Sequence, residues 1–148
     1  MKEDYDEIVE CLLEAPYWVI DFLPKQVPQD ARGLFFAVEQ YYLTGIRHER
    51  LINQLADVVL KLKCYYDLTV NPGDEWVKNP EPTVLVEWLT DTLHNGHLCA
   101  LIDDTTALIT ASGGDTHLTL YNPSDDLLQL TGQLATAAGL HLWQPNHN

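Results

Sequence analysis

The sequence predicts an α+β fold, a single domain built on a mainly antiparallel sheet of about five to six strands with helices packed on one face. Three observations lead there. Stretches with period-two alternation are mixed with stripes of helical period in the order αβααβ, then αβββαβ, without the βαβα alternation of a parallel sheet. Three strands follow one another in the second half, separated by turn-forming residues. The chain has 148 residues, 46% of them hydrophobic and 20% charged, the size and makeup of one domain with a buried core.

The first helix covers residues 3–14, where Tyr5, Ile8, Val9, Leu12 and Leu13 form one stripe. Glu3, Asp4 and Asp6 suit the positive end of its dipole, and Pro16 stops it. Residues 17–23, Tyr-Trp-Val-Ile-Asp-Phe-Leu, are aromatic and β-branched and read as a strand. Beyond Pro24 and Pro28, Asp30 can cap a second helix with the stripe Ala31, Leu34, Phe35, Val38, Tyr41 and Tyr42. Gly45 separates it from a third helix, 46–62, striped by Leu51, Leu55, Val58, Val59 and Leu62. Residues 63–70 then alternate as a strand.

Pro72, Gly73, Pro80 and Pro82 make residues 71–82 a loop-like break between two halves, each too small to stand as a separate domain. Asn79-Pro80 reads as a cap and first turn for a helix reaching Leu93, and Asn95-Gly96 ends it. Strands are expected at 97–102, 105–110 and 116–121, with turns at Asp103-Asp104 and at Ser112-Gly113-Gly114-Asp115. Asn122-Pro123-Ser124-Asp125 opens a last helix carrying Leu127, Leu130, Leu134 and Ala138. Gly139 supplies its left-handed end, and residues 140–144 form a final strand.

Charge is the strongest compositional signal. The 22 acidic and 8 basic residues give a net charge of −14. No Lys or Arg follows Lys78, so residues 79–148 carry 0 − 8 = −8 and the first 78 carry 8 − 14 = −6. Such a field repels phosphate backbones, which argues against nucleic acid as a partner, and it speeds encounter with a basic protein. No apolar run is long enough to span a membrane, and the acidic start, Met1 to Glu7, is not a signal peptide. Cys11, Cys64 and Cys99 are three, widely spaced and without a CxxC pair. They read as free thiols of a reducing compartment, each a small buried hydrophobe, so a cytoplasmic location is expected.

No nucleophile elbow, Walker loop, dinucleotide fingerprint or zinc-binding spacing occurs, so no catalytic residue, cofactor or metal is assigned. The lead is instead a sheet face. Strand parity places Leu98, Ala100, Ile102, Ala107, Ile109, Leu118 and Leu120 on the core side. It places His97, Cys99, Leu101, Leu108, Thr110, His117, Thr119 and Tyr121 on the other, half-polar side. With residues 102 and 105 flanking the first turn and 111 and 116 the second, His97, Thr110 and His117 fall in one row. Two strand spacings, about 9.5 Å, then separate the histidines, wide for two ligands of one ion. This face, with Asp103 and Asp104 at its rim, is the candidate interaction surface. Of the Tyr41-Tyr42 and Tyr65-Tyr66 pairs, at least one ring each is expected at the surface, and Trp76 and Trp143 are expected to be partly exposed.

The expected function is a non-enzymatic cytosolic protein-interaction module. Its concrete form is an immunity-type inhibitor of a basic partner, by analogy with small acidic proteins of that class. The alternative is a small metal-binding protein or enzyme centred on His97, Cys99 and His117. A third reading is a homodimer that uses the half-polar face as its two-fold interface. The segments 36–43 and 121–126 resemble stretches of small bacterial proteins, a resemblance that brings no site with it.

Overall fold

A computed structural model describes residues 4–103 and 105–145 of the chain. Asp104 lies outside the described residues. The described elements are α1 (Tyr5–Leu12), β1 (Tyr17–Asp21), a 3-10 turn (Gln29–Ala31), α2 (Arg32–Tyr42), α3 (Gly45–Leu62), β2 (Leu68–Asn71) and β3 (Val77–Lys78). They continue with α4 (Pro82–Asn95), β4 (His97–Ile102), β5 (Ala107–Ser112), β6 (His117–Tyr121), α5 (Asp125–Ala137) and β7 (His141–Trp143). The strands form one sheet in the order β3-β2-β4-β5-β6-β1-β7, and every neighbouring pair is antiparallel. This is the α+β architecture expected, with one strand more than foreseen. The extra strand is β3, two residues inside the presumed loop. Strands of both halves share the sheet, because β2 pairs with β4.

Local chemistry sets the ends. The Asp4 carboxylate accepts from the Glu7 N–H at 3.2 Å and Ser124 Oγ from the Leu127 N–H at 3.1 Å, capping α1 and α5. Gly139, at φ +80°, takes the left-handed position, and the Leu140 N–H closes back on the Ala135 carbonyl at 2.8 Å. Asn79 does not cap α4, whose cap position is Glu81 with Pro82 in the first turn. At φ +48° it instead clamps β3 to β2: its Oδ1 accepts from the Leu68 N–H at 2.9 Å and its Nδ2 donates to Asp67 at 3.1 Å. The strand expected at 63–70 starts only at Leu68, since α3 runs to Leu62 and the backbone turns over the next residues. Cys64 is therefore exposed on a turn, and Cys11 is exposed on α1. Neither is the buried hydrophobe expected.

The main core lies between one sheet face and α3, α4 and α5. Leu55, Val58, Val59, Leu62, Leu85, Leu89 and Leu93 meet Ile20, Leu98, Ile102, Ile109, Leu118 and Leu120 there, all fully buried. The opposite face is not left free of helices. There α1 seats Leu12 on Leu101 and Leu108, with Tyr5, Ile8, Val9, Trp76, Cys99 and Tyr121 around them. Trp76 fastens this lid: its ring lies 5.2 Å from that of Tyr5 and its Nε1 donates to Asp6 at 3.1 Å. The expectation of helices on one face fails for α1, because the apolar stripe of α1 and the apolar pair Leu101 and Leu108 both need cover.

The β5–β6 turn packs tightly against the end of α4. A Cβ on Gly113 would sit 2.8 Å from Asn95 Cα and 2.9 Å from Gly96 N. Both are backbone atoms, so nothing flexible can yield. Gly113→Ala is expected to cost about 1–3 kcal/mol, read as a lowered urea midpoint at unchanged slope. An unchanged midpoint would show that this turn is free to move away.

Candidate functional site

Register decides what the sheet brings together. The turn after β4 is two residues longer than expected, and the four-residue turn after β5 lies one residue further along the chain. Ile102 faces Ala107 across the first, and Thr110 faces Thr119 across β5 and β6. Each register therefore moves by two residues, which preserves the face of every side chain and changes its partner. His97 lies opposite Ser112, and His117 lies opposite Asp21 of β1. Thr110 therefore leaves the expected row and pairs with Cys99 and Thr119, while the same registers put Ser112 between His97 and His117.

The candidate residues differ in exposure and surroundings. His97 is exposed; its Nδ1 is 2.9 Å from Ser112 Oγ and its Nε2 is 3.6 Å from Cys99 Sγ. Cys99 is half-buried beneath α1, and burial, reinforced by the Asp6 carboxylate, pushes its thiol pKa up, away from a reactive thiolate. Leu101 and Leu108 are buried under α1 and form no open surface. Thr110, Thr119 and Tyr121 are half-buried, and the Tyr121 ring lies 5.5 Å from that of Tyr17. Asp103 is exposed at the β4–β5 turn, at the opposite end of the strands from His117. Among the described residues no three His, Cys, Asp or Glu side chains are arranged to hold a metal ion. No described helix is long and apolar enough to cross a membrane.

What the sheet does build is a pocket at its β1–β6–β7 end. Its volume is about 210 Å³ and its lining is Val19, Asp21, Gln26, Val27, Arg32, Phe35, Thr116, His117 and Trp143. β1 supplies Asp21, β6 His117 and β7 Trp143, all on the sheet face away from the main core. The turn before α2 and its first residues close the other side. Asp21 is only 8% exposed, unusual for a carboxylate. Burial raises its pKa; the opposing influences are His117, the N–H groups of Phe22 and Leu23, and Trp143. The Phe22 N–H donates to Asp21 Oδ1 at 2.8 Å. The Trp143 Nε1 is buried and completes no hydrogen bond, although it lies close enough to favour the charged carboxylate. Glu39 of α2 also has a raised pKa, first through burial and then through Asp115, while His117 lowers it and Asp21 adds a smaller raising effect.

A carboxylate in such a place costs the fold. A raised folded-state pKa means that the contribution to stability is present below the unfolded value and lost as pH rises through the folded value. At pH 7 the ionised Asp21 therefore weighs against folding. Asp21→Asn is expected to stabilise the protein by about 1 kcal/mol at pH 7, with the gain shrinking towards pH 4. Destabilisation at pH 7 would mean that the charge holds the fold together.

Beside this pocket, α2 presents two stripes. Phe35, Glu39 and Tyr42 turn towards the body: Phe35 lines the pocket, and the Tyr42 ring lies 5.0 Å from that of Phe22. Leu34, Val38 and Tyr41 turn outwards, 75%, 45% and 55% exposed. Val38, a member of the apolar stripe read for this helix, is thus at the surface. The Arg47 guanidinium sits 3.9 Å above the Tyr41 ring and its Nε donates to the Tyr41 carbonyl at 2.9 Å, fixing that ring in place. Sequence reading missed Asp21, Arg32 and Glu39. The available signal was Asp21 itself, a lone carboxylate inside the apolar run Tyr17 to Leu23.

No protein-family model, curated protein or solved structure matches this chain.

Proposed function

We propose that this protein is a non-enzymatic, cytosolic interaction module that docks a basic protein partner through the outer face of α2. The observation that carries this reading is the placement of exposed apolar side chains. Eight large hydrophobics are exposed among the described residues: Leu13, Leu34, Phe36, Val38, Tyr41, Tyr42, Ile46 and Tyr65. Six of them fall between Leu34 and Ile46. Apolar side chains concentrated in this way mark interaction sites on soluble proteins, and aromatic residues anchor such sites. The net charge of −14 gives the partner its sign. A small acidic α+β protein that covers a basic one is the plan of an immunity-type inhibitor, which makes that the concrete form of the reading.

Electrostatic steering supplies the test. Association of the purified partner should slow several-fold between low and physiological salt, with dissociation little changed. Asp115→Lys, beside the α2 end of the sheet, should slow association further, whereas Asp103→Lys at the far end should have a smaller effect. Stopped-flow or surface-plasmon kinetics read both. An on-rate indifferent to salt and to Asp115→Lys would remove the basic partner from the account.

A further inference from the structure

The pocket beside α2 combines one deeply buried acid with one exposed base. Asp21 is 92% buried, being 8% exposed, whereas Arg32 at the start of α2 is exposed. Val19, Val27, Phe35 and Trp143 give the remaining lining an apolar and aromatic character. We propose that this pocket receives a basic side chain of the docked partner, an arginine or a lysine, whose cationic head is held by Asp21. The proposal rests on the docking reading above and names the chemistry of its anchor.

Charge, walls and size all favour that occupant. Three elements bring carboxylates to this end of the sheet: Asp21 from β1, Glu39 from α2 and Asp115 from the β5–β6 turn. Asp115 and Asp21 both disfavour the charge on Glu39, so their potentials add at one place. His117 and the exposed Arg32 oppose them, two groups against three carboxylates. Arg32 forms no ion pair with these carboxylates among the described residues. The net local charge is therefore negative, and an incoming cation relieves a repulsion already present. Aromatic rings favour a cationic head, and apolar walls suit the stem of a long basic side chain. A cavity of about 150 Å³ accommodates benzene, so about 210 Å³ has room for a guanidinium and part of its stem. The pocket adjoins the exposed face of α2, so a partner lying on Leu34, Val38 and Tyr41 can reach it.

Acidification should empty the pocket. Burial raises the pKa of both Asp21 and Glu39, and their protonation would remove its attraction for the cation. The exposed Arg32 opposes the cation and Asp115 favours it, and the exposed His141 of β7 lies across from Asp21.

Ethylguanidinium chloride, titrated into the full chain against matched sodium chloride, tests this without the partner. The readouts are the Trp143 indole N–H and His117 ring signals in nuclear magnetic resonance spectra. Saturable shifts with millimolar affinity are expected at pH 8, weaker at pH 5.5. Asp21→Asn should weaken binding about tenfold or more, and Arg32→Ala should leave it equal or tighter. Because Asp21→Asn is expected to gain stability, its loss of binding would not report unfolding, and its urea midpoint checks this. Absence of a saturable shift overturns the proposal, as does equal binding by Asp21→Asn. Sodium propionate bound in place of ethylguanidinium, and lost in Arg32→Ala, would overturn it in favour of an anion site. Failure of ethylguanidinium to bind, while a basic partner still docks on α2, rejects the anchor and leaves the docking reading intact.

Discussion

Replacing Leu120 by Ala is expected to destabilise the protein by about 2–5 kcal/mol. Leu120 is fully buried on β6, where it faces Trp18 of β1 on one side and Ile109 of β5 on the other. Its side chain belongs to the core between the sheet and α3, α4 and α5. Truncation loses the transfer free energy of the removed carbons and leaves a void that a sheet paired on both sides cannot collapse to fill. Thr119, the next residue on the same strand, points to the other face and is half-buried. Its replacement by Ala is expected to cost less than about 1 kcal/mol. Urea unfolding of both variants reads the contrast. A cost below about 0.5 kcal/mol for Leu120→Ala would mean that the strand faces are inverted.

The second large effect is on binding and not on folding. Leu34→Asp combined with Tyr41→Asp removes two outward side chains of α2, seven residues apart and so on one helical face. Both are more than half exposed, so stability should change by no more than about 1 kcal/mol in total. Affinity for the basic partner should fall about a hundredfold or more, because charged residues would replace an apolar anchor and an aromatic one. Equal affinity in a folded double variant would place the docking surface elsewhere.

How much of this was legible beforehand follows from what each signal depends on. Period-two alternation depends only on side-chain direction, so the core face from Leu98 to Leu120 was readable. Partner identity depends on turn length and position: a first turn two residues longer, and a second displaced by one residue, each shift register by two without disturbing parity. This is how Ser112, and not Thr110, came to stand between His97 and His117, while the pairing of β1 with β6 put Asp21 beside His117. The stripe Leu34, Phe35, Val38, Tyr41 and Tyr42 showed that α2 is apolar, but it was too wide to be one face. Only tertiary packing separates the inner Phe35 and Tyr42 from the outer Leu34, Val38 and Tyr41. Similarly, nothing local told that α1 would cross to the second sheet face, although the apolar Leu101 and Leu108 within a half-polar row marked a place that needed cover. Asp21 was the one pocket residue with a local signal, a charge within a strand otherwise apolar or aromatic.

Amide hydrogen exchange of the full chain, with and without its basic partner captured from the native host, tests the central claim most directly. The account predicts that protection on binding concentrates in residues 32–46, that is in α2 and the start of α3, with a smaller effect around Asp21 and His117. Protection confined to α1 or to β4 and its following turn would contradict it. So would protection of residues 32–46 in the chain alone that grows with its own concentration, since that would make the α2 face a contact between two copies of this protein.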